Sequence, residues 1–197
     1  MAEFKRVILI VGTPGVGKTV VSKLLASKIN ALYINLAEFV KRENLILGVD
    51  EARDTLIADI NKVSKRVREI LESSERDAVI DGHYAMDVVS AKVVHLVFVL
   101  RRNPDELKKT LESRCFREKK LWENLAAEVL DVCLWDAISV CGSEKVCEID
   151  VSDKKVEDIV KEILSILEGE EKCRVGIVNW LEILETENRL HEFLEHF

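Results

Sequence analysis

The order of segments along this chain predicts an α/β fold built on a mainly parallel sheet. Short apolar segments rich in β-branched residues, which suit buried strands, alternate with longer segments whose apolar residues recur at helical spacing. The 197 residues are enough for one well-buried core and few for two, so a single domain spanning residues 1–197 is expected. Crossovers in such a fold are right-handed, and ligands bind at the carboxyl ends of the strands.

The first part of the chain follows this alternation with one interruption. Residues 5–11 form a β-branched apolar run that leads into a glycine, as in a strand buried on both faces, and residues 18–29 have the spacing of a helix. Residues 31–34 suit a short second strand. The polar segment 35–58 is longer than a turn needs, and it fits an acceptor-binding flap or a pair of solvated helices equally well. Residues 59–71 then place their apolar side chains on one helical face.

The second part of the chain repeats the pattern. Residues 78–80, 94–100 and 146–151 suit buried strands, while Asn103 as N-cap and Pro104 in the first turn start a helix that reaches about residue 114. A longer helix is expected from about 119 to 138, and a last core helix over 156–167. A terminal helix docked on the core is predicted beyond, with a partner-binding helix as the alternative. Its apolar positions are Trp180, Ile183, Leu184, Leu190, Phe193, Leu194 and Phe197.

Residues 12–19, Gly-Thr-Pro-Gly-Val-Gly-Lys-Thr, match the phosphate-binding pattern GxxxxGK[ST] at every fixed position. Glycines allow a tight turn whose N–H groups point at phosphate oxygens, and the next helix offers its positive end. Lys18 is expected to reach the β- and γ-phosphates and Thr19 to ligate Mg²⁺. A chance glycine turn is disfavoured because the motif lies between a buried strand and an amphipathic helix. The motif predicts binding of a nucleoside triphosphate with Mg²⁺.

Two further residues are candidates for catalysis. Asp81 ends a buried strand, where a carboxylate beside the phosphate-binding loop holds Mg²⁺, although an acid in an Asp-Gly turn is the alternative. His83 follows two residues later and is a candidate for positioning water, although a lone histidine is more often a core or surface residue.

A basic junction between two helices suits a lid. Arg114, Arg117, Lys119 and Lys120 gather within residues 111–124, and phosphoryl transfer needs mobile cations that close over the moving group. A solvated basic turn is the alternative, since runs of charge are commonly solvated faces.

Composition excludes some classes of function. With 29 basic and 36 acidic residues, the net charge of -7 disfavours a domain-wide footprint for nucleic acid or anionic lipid, and no sequence-specific nucleic-acid binding is expected. The longest apolar runs are too short to span a bilayer, and no signal peptide is evident, so a cytoplasmic protein is expected. The five cysteines fit reduced thiols better than a structural metal site.

Three sequences together, GTPGVGKT, DGHYA and LRRNPDELKKTLESRCFREKKLWENLAAEVLDV, resemble the archaeal and nuclear adenylate kinase family. Its eukaryotic members are of the adenylate kinase isoenzyme six, or coilin-interacting nuclear ATPase, type. The resemblance spans about residues 7–167, and the Asp-x-His of residues 81–83 marks this branch. It implies a three-layer P-loop NTPase sandwich of the nucleoside monophosphate kinase type. It also implies transfer of phosphate from ATP to AMP or another monophosphate, together with ATP hydrolysis.

The resemblance also assigns roles to residues and segments. Arg114 becomes the lid arginine and a ligand of ATP, and Asp81 and His83 form the hydrolytic motif. The monophosphate-binding insert maps to about 33–56, the lid to about 113–123 and a C-terminal helical extension to about 172–197. The residues implied to bind the ATP phosphates are Gly15, Gly17, Lys18, Thr19 and Val20.

Two departures from the family pattern concern the acceptor. Cys115 stands where the family usually has glycine after the lid arginine, which would stiffen that hinge. The arginine that usually follows the Asp81-Gly82 pair is absent, so another cation must hold the monophosphate, with Arg53 and Lys62 as candidates.

The resemblance implies participation in late maturation of the small ribosomal subunit, through transient binding of a small-subunit ribosomal protein. Two other functions stay open. One is an assembly ATPase with little kinase role, and the other is a small-metabolite kinase on the same fold.

Overall fold

The computed structural model describes residues 5–51 and 55–194 of the chain. The strands in these residues are, in chain order, β1 (Val7–Val11), β2 (Leu32–Asn35), β3 (Ile46–Asp50), β4 (Thr55–Ala58), β5 (Ala78–Asp81), β6 (Leu96–Arg101) and β7 (Val146–Asp150). The helices are α1 (Lys18–Lys28), α2 (Leu36–Arg42), α3 (Ile60–Ser73), α4 (Ala85–Val88), α5 (Pro104–Ser113), α6 (Glu118–Val129), α7 (Val132–Cys141), α8 (Val156–Leu167), α9 (Trp180–Thr186) and α10 (Leu190–Leu194). No helix in this part of the chain is both long and apolar enough to cross a membrane.

Over the described ranges, five parallel strands form one sheet in the order β2-β5-β1-β6-β7. Every residue of the central β1 is buried, because helices cover both faces of the sheet. One face packs against α2, α3, α4 and α7, and the other against α1, α5, α6, α8, α9 and α10. This three-layer arrangement confirms the predicted fold class. It also brings the carboxyl ends of β1, β2 and β5 together at one edge of the sheet.

Within the segment 35–58, the described residues form a helix and a two-stranded antiparallel hairpin. The Asn35 side chain accepts a hydrogen bond from the backbone N–H of Glu38 at 2.8 Å and so starts α2. Beyond α2, β3 and β4 pair antiparallel. The alternative of two solvated helices is therefore wrong. Arg53, one of the candidate cations, lies outside the described residues.

The prediction of one long helix from about 119 to 138 is also wrong, because the helix is interrupted between α6 and α7. At the break, Asp131 has a left-handed φ of 57°. The guanidinium of Arg101 donates to the backbone oxygen of Glu128 at 2.9 Å and to the carboxylate of Asp131. The first bond satisfies a backbone carbonyl of the last turn of α6, and the second holds the left-handed Asp131 in place, so the helix ends here.

The C-terminal region docks on the core, as the first alternative predicted, but as two short helices. Asn188, with φ 56°, separates α9 from α10, while Trp180, Leu184 and Phe193 are buried against the sheet layer. Phe197 lies outside the described residues.

Two of the five cysteines depart from the expectation of reduced thiols. Cys147, in β7, and Cys173 form a disulfide, with their Cα atoms 4.7 Å apart. Cys115, Cys133 and Cys141 are free thiols, as expected.

Candidate active site

The phosphate-binding loop, residues 12–19, connects β1 to α1 through backbone angles that favour glycine. Gly12, Gly15 and Gly17 have φ angles of 133°, 99° and 105°. A Cβ atom on Gly12 would lie 2.5 Å from the carbonyl oxygen of Leu100, so this position has no room for a side chain. The loop runs into the N-terminus of α1, whose unpaired N–H groups and positive dipole end attract an anion.

Lys18 lies over this loop. Its ammonium donates to the carbonyl oxygens of Gly12 at 2.6 Å and Thr13 at 3.0 Å. Burial lowers the pKa of Lys18 to about 8, and the neighbouring Cys133 and Asp81 oppose that shift. A phosphate beside this ammonium would favour its charged form and compensate for lost hydration. The position of Lys18 therefore suits an anionic ligand.

Asp81 ends β5 in a buried cluster of oxygen and amide groups. Its carboxylate accepts hydrogen bonds from the Asn35 amide at 2.6 Å and from the Tyr33 hydroxyl at 3.3 Å. The Asn35 amide also donates to the hydroxyl of Thr19 at 3.3 Å. Burial raises the pKa of Asp81, while hydrogen bonds from Thr19 and Tyr33 and the charge of Lys18 oppose the shift.

The pair of Thr19 and Asp81 fits a magnesium site. A hydroxyl and a carboxylate are oxygen ligands of the kind Mg²⁺ prefers, and Asn35 holds both by donating to each of them. The two predicted metal ligands are thus brought together at the strand ends.

His83 lines a cavity of about 250 Å³ and is close enough to Lys18 of the phosphate-binding loop to feel its charge. Desolvation and the positive charges of Lys18 and Lys120 lower the pKa of His83, which favours the neutral form of its imidazole. The ring meets that of Tyr84 edge-on, with centroids 4.8 Å apart. A neutral imidazole at this position can accept a proton or orient a water molecule.

The walls of this cavity come from four parts of the chain, which are α2, β4, the turn after β5, and α6. Two lysines, Lys41 and Lys120, lie in these walls beside His83, Tyr84 and the apolar side chains of Val40 and Leu56. A pocket with an apolar body and ammonium groups suits a molecule that has both an aromatic part and an anionic part.

The basic junction contacts the hairpin. The ammonium of Lys120 donates to the hydroxyl of Thr55 at 2.9 Å, and the Arg117 guanidinium lies 3.5 Å from the carbonyl oxygen of Glu51. Cys115 has a left-handed φ of 55° between α5 and α6, where glycine would meet no steric penalty. The predicted lid and the predicted acceptor insert therefore lie against each other across the cavity.

Not every candidate converges on this site. Arg114 is an exposed residue at the C-cap of α5, and its charge helps to lower the pKa of Lys18. Val20, in the first turn of α1, has an exposed side chain. Lys62 pairs with Asp59 at 3.0 Å on α3 and does not line the cavity.

The sequence reasoning missed several residues of this site. Tyr33 and Asn35 lie at the carboxyl end of a strand that the sequence does predict, and that position was a usable signal. Lys41 lies in the polar segment that the sequence left open. Glu128 accepts a hydrogen bond from the Thr13 hydroxyl at 2.5 Å across 115 residues, and no local pattern indicates that pairing.

Comparisons with known proteins identify a family and relatives that match most of this chain. The family model described as "AAA domain" matches residues 8–131. A protein of Methanocaldococcus jannaschii described as "Putative adenylate kinase" is 40% identical over 181 residues, which cover 89% of this chain and 93% of that protein. A protein of Thermococcus onnurineus with the same description is 38% identical over 177 residues, covering 89% of this chain and 92% of its own.

Solved structures share the fold at low identity. Shikimate kinase from Bacteroides thetaiotaomicron superposes with a TM-score of 0.55 and 17% identity, covering 83% of this chain and 98% of its own. A gluconokinase from Sinorhizobium meliloti gives a TM-score of 0.52 at 17% identity, over 93% of this chain and 98% of its own. These kinases support the P-loop fold.

Proposed function

This chain belongs to the adenylate kinase family of the Methanocaldococcus and Thermococcus relatives, and from that premise we propose that it transfers the terminal phosphate of ATP to a nucleoside monophosphate, AMP being the best acceptor. The observation that carries the proposal is the cavity beside the phosphate-binding loop. It is bounded by the hairpin and by α6. His83 lies in its wall, and the positive charges of both Lys18 and Lys120 lower the pKa of this histidine. An acceptor phosphate there would face the phosphate held by Lys18.

Each group of residues has a role in the proposed transfer. The backbone N–H groups of residues 15–19 and the Lys18 ammonium hold the triphosphate, and Arg114 adds positive charge from the lid side. Mg²⁺, held by Thr19 and Asp81, would neutralise charge on the bound phosphates. Closing the basic junction over the cavity would exclude water, so that phosphate passes to the acceptor.

We assign the acceptor phosphate to Lys41 and Lys120, which line the cavity. They take the place of the missing arginine after Asp81-Gly82. The apolar side chains of Val40, Leu56 and Tyr84 would contact the nucleoside.

The experiment measures ADP formed from ATP and AMP, then repeats the assay with the other common nucleoside monophosphates. We expect Lys120→Met to raise KM for AMP by roughly tenfold, the effect of losing one charge-assisted contact, and to leave Kd for ATP unchanged. Lys62→Met is the matched control and is expected to change neither value. The proposal is wrong if purified protein makes no ADP from AMP beyond what hydrolysis of ATP explains.

Hydrolysis of ATP is a second proposed activity, and His83 supports it. A neutral imidazole two residues beyond Asp81 can orient water towards the bound phosphate when no acceptor is present. His83→Ala is then expected to spare ATP binding and to slow hydrolysis more than phosphorylation of AMP. Equal loss of both activities would contradict this role.

The wider biological role is proposed from the resemblance to the nuclear branch of the family. It is participation, in the cytoplasm, in late maturation of the small ribosomal subunit through transient binding of a small-subunit ribosomal protein. The net charge of -7 is compatible with a basic partner. We expect such a protein to copurify with this chain and to be released when ATP is added. A ribosomal protein that stays bound equally well with and without ATP would contradict the proposal. The assembly ATPase and the small-metabolite kinase become the better proposals if AMP proves inert.

A further inference from the structure

A buried cluster of charged side chains lies beneath the phosphate-binding loop. Arg101, at the end of β6, is 2% exposed. Its guanidinium donates to Glu128 at 2.9 Å and to Glu148 at 2.5 Å, and it also pairs with Asp131. One guanidinium thus faces three carboxylates. The excess negative charge requires further hydrogen-bond donors, because a buried carboxylate without them is costly.

Glu128 receives those donors from two distant parts of the chain. Its Oε2 accepts from the Thr13 hydroxyl at 2.5 Å, and its Oε1 accepts from the indole N–H of Trp180 at 3.3 Å. Oε1 also accepts from the backbone N–H of Arg102 at 3.0 Å. One carboxylate therefore joins the phosphate-binding loop to the first residue of α9.

Thr13 connects this carboxylate to the ligand side of the loop. Thr13 is 1% exposed and its hydroxyl is bound to Glu128, while its carbonyl oxygen accepts from the ammonium of Lys18 at 3.0 Å. The carbonyl also accepts from the backbone N–H of Val16. Fixing the hydroxyl of Thr13 on Glu128 therefore fixes the orientation of a peptide group that holds the phosphate-binding lysine.

The segment of residues 173–180, which we call the C-terminal strap, completes the cluster from the other side. The backbone N–H of Ile177 donates to the second oxygen of Glu148 at 2.9 Å, and the backbone N–H of Glu148 donates to the carbonyl oxygen of Arg174 at 2.8 Å. The Cys147–Cys173 disulfide joins the start of the strap to β7. The strap thus supplies donors to two of the three carboxylates that surround Arg101.

We propose that Glu128 is a positioning residue of the phosphate-binding loop, and that docking of the C-terminal strap on Glu128 sets the affinity of this loop for ATP. The inference rests on the proposed function only in assuming that the loop binds ATP. Loss of the Trp180 donor removes one of three hydrogen bonds to Oε1 of Glu128, so the carboxylate holds the Thr13 hydroxyl less firmly.

The first test uses the full-length protein and a fluorescent ATP analogue. Thr13→Val keeps the shape of the side chain and removes the hydroxyl, whereas Thr13→Ser restores it. We expect Thr13→Val to raise Kd by roughly tenfold, as for a lost hydrogen bond to a charged group, and Thr13→Ser to stay within about twofold of wild type. KM for AMP is expected to stay unchanged in both, because the acceptor cavity does not involve Thr13. Equal Kd for the valine and serine variants would overturn the inference.

The second test measures whether binding of ATP at the loop changes the environment of Trp180 in the C-terminal strap. In protein with ¹⁵N-labelled tryptophan, addition of ATP and Mg²⁺ is expected to shift the indole N–H resonance of Trp180, assigned by its absence from Trp180→Phe. The shift should disappear in Thr13→Val. Trp180→Phe itself should raise Kd for ATP by roughly threefold. The effect is small because the indole bond to Glu128 is long, at 3.3 Å, and other donors share the same oxygen. A shift that persists in Thr13→Val would contradict the path through Thr13 and Glu128.

Arg189→Gln is the control for general loosening of the C-terminal region. Arg189 binds Asp105 through two hydrogen bonds of 2.8 and 3.0 Å, outside the buried cluster. This variant is expected to lower the melting temperature and to leave Kd for ATP unchanged. A rise in Kd as large as that of Trp180→Phe would contradict a specific role for Glu128. Wild-type protein that binds ATP but makes no ADP from AMP would contradict the proposed function and not this inference, which the Kd values decide.

Discussion

Replacing Lys18 with methionine is expected to stabilise the ligand-free protein while removing its affinity for ATP. A pKa of about 8 in the folded protein, against 10.5 for an ordinary lysine, corresponds to about 3 kcal/mol of destabilisation while the amine is charged. The side chain keeps some contact with solvent, which reduces this cost, and the variant loses two hydrogen bonds to loop carbonyls. We therefore expect a net gain of about 1–2 kcal/mol in the free energy of unfolding.

The pH dependence of this gain follows from the sign of the pKa shift. Because the folded-state pKa lies below the unfolded value, the cost of Lys18 is fully present below about pH 8. As the pH rises towards 10.5, the folded wild type releases the proton and the cost disappears. The stability difference between Lys18→Met and wild type should therefore be constant near neutral pH and should shrink in alkaline buffer.

The assay is urea unfolding of both proteins in EDTA across this pH range, followed by melting with and without ATP and Mg²⁺. ATP should raise the melting temperature of wild type and leave that of the variant unchanged, since only wild type binds it. Lys65→Met, at an exposed position on α3, is the control and should change stability by less than about 0.5 kcal/mol. The reasoning would be refuted if Lys18→Met were less stable than wild type, or if the difference in their free energies of unfolding did not change with pH. Unchanged ATP binding by the variant would also refute it.

Three further outcomes are expected. Cys115→Gly should raise the free energy of unfolding by about 0.5 kcal/mol in urea, because relief of the left-handed backbone outweighs the added freedom of the unfolded chain; a loss of stability would contradict this. Without reductant, the unfolded protein should show three free thiols and reduced protein five. Breaking the Cys147–Cys173 bond, which spans 26 residues, should cost up to about 3.5 kcal/mol; five thiols before reduction would exclude the bond. Asn35→Ala should raise the Mg²⁺ concentration for half-maximal activity by roughly tenfold, since Asp81 loses a bond to its charged form; an unchanged Mg²⁺ requirement would count against the proposed metal site.

Several predictions that depended on local patterns agree with the structure, whereas the single helix expected over 119–138 does not. The strand at β1, the glycine loop and the start of α5 at Asn103 follow from residues that are neighbours in sequence. Such patterns act through backbone angles, capping and the spacing of apolar residues, which a short stretch of chain fixes by itself. The break at Asp131 was missed because its cause, Arg101, lies about thirty residues away at the end of β6.

The sequence by itself determined the α/β class, the phosphate-binding loop and the chain order of the five strands that form the parallel sheet. Only the tertiary structure decided which side chains meet, because those contacts join strand ends and helices that are far apart along the chain. Tyr33 and Asn35 reach Asp81 only when β2 pairs with β5, and Thr13 reaches Glu128 only when α6 packs under the loop. Burial then gives these contacts their strength, since a charge or hydroxyl removed from water must find its partner within the protein.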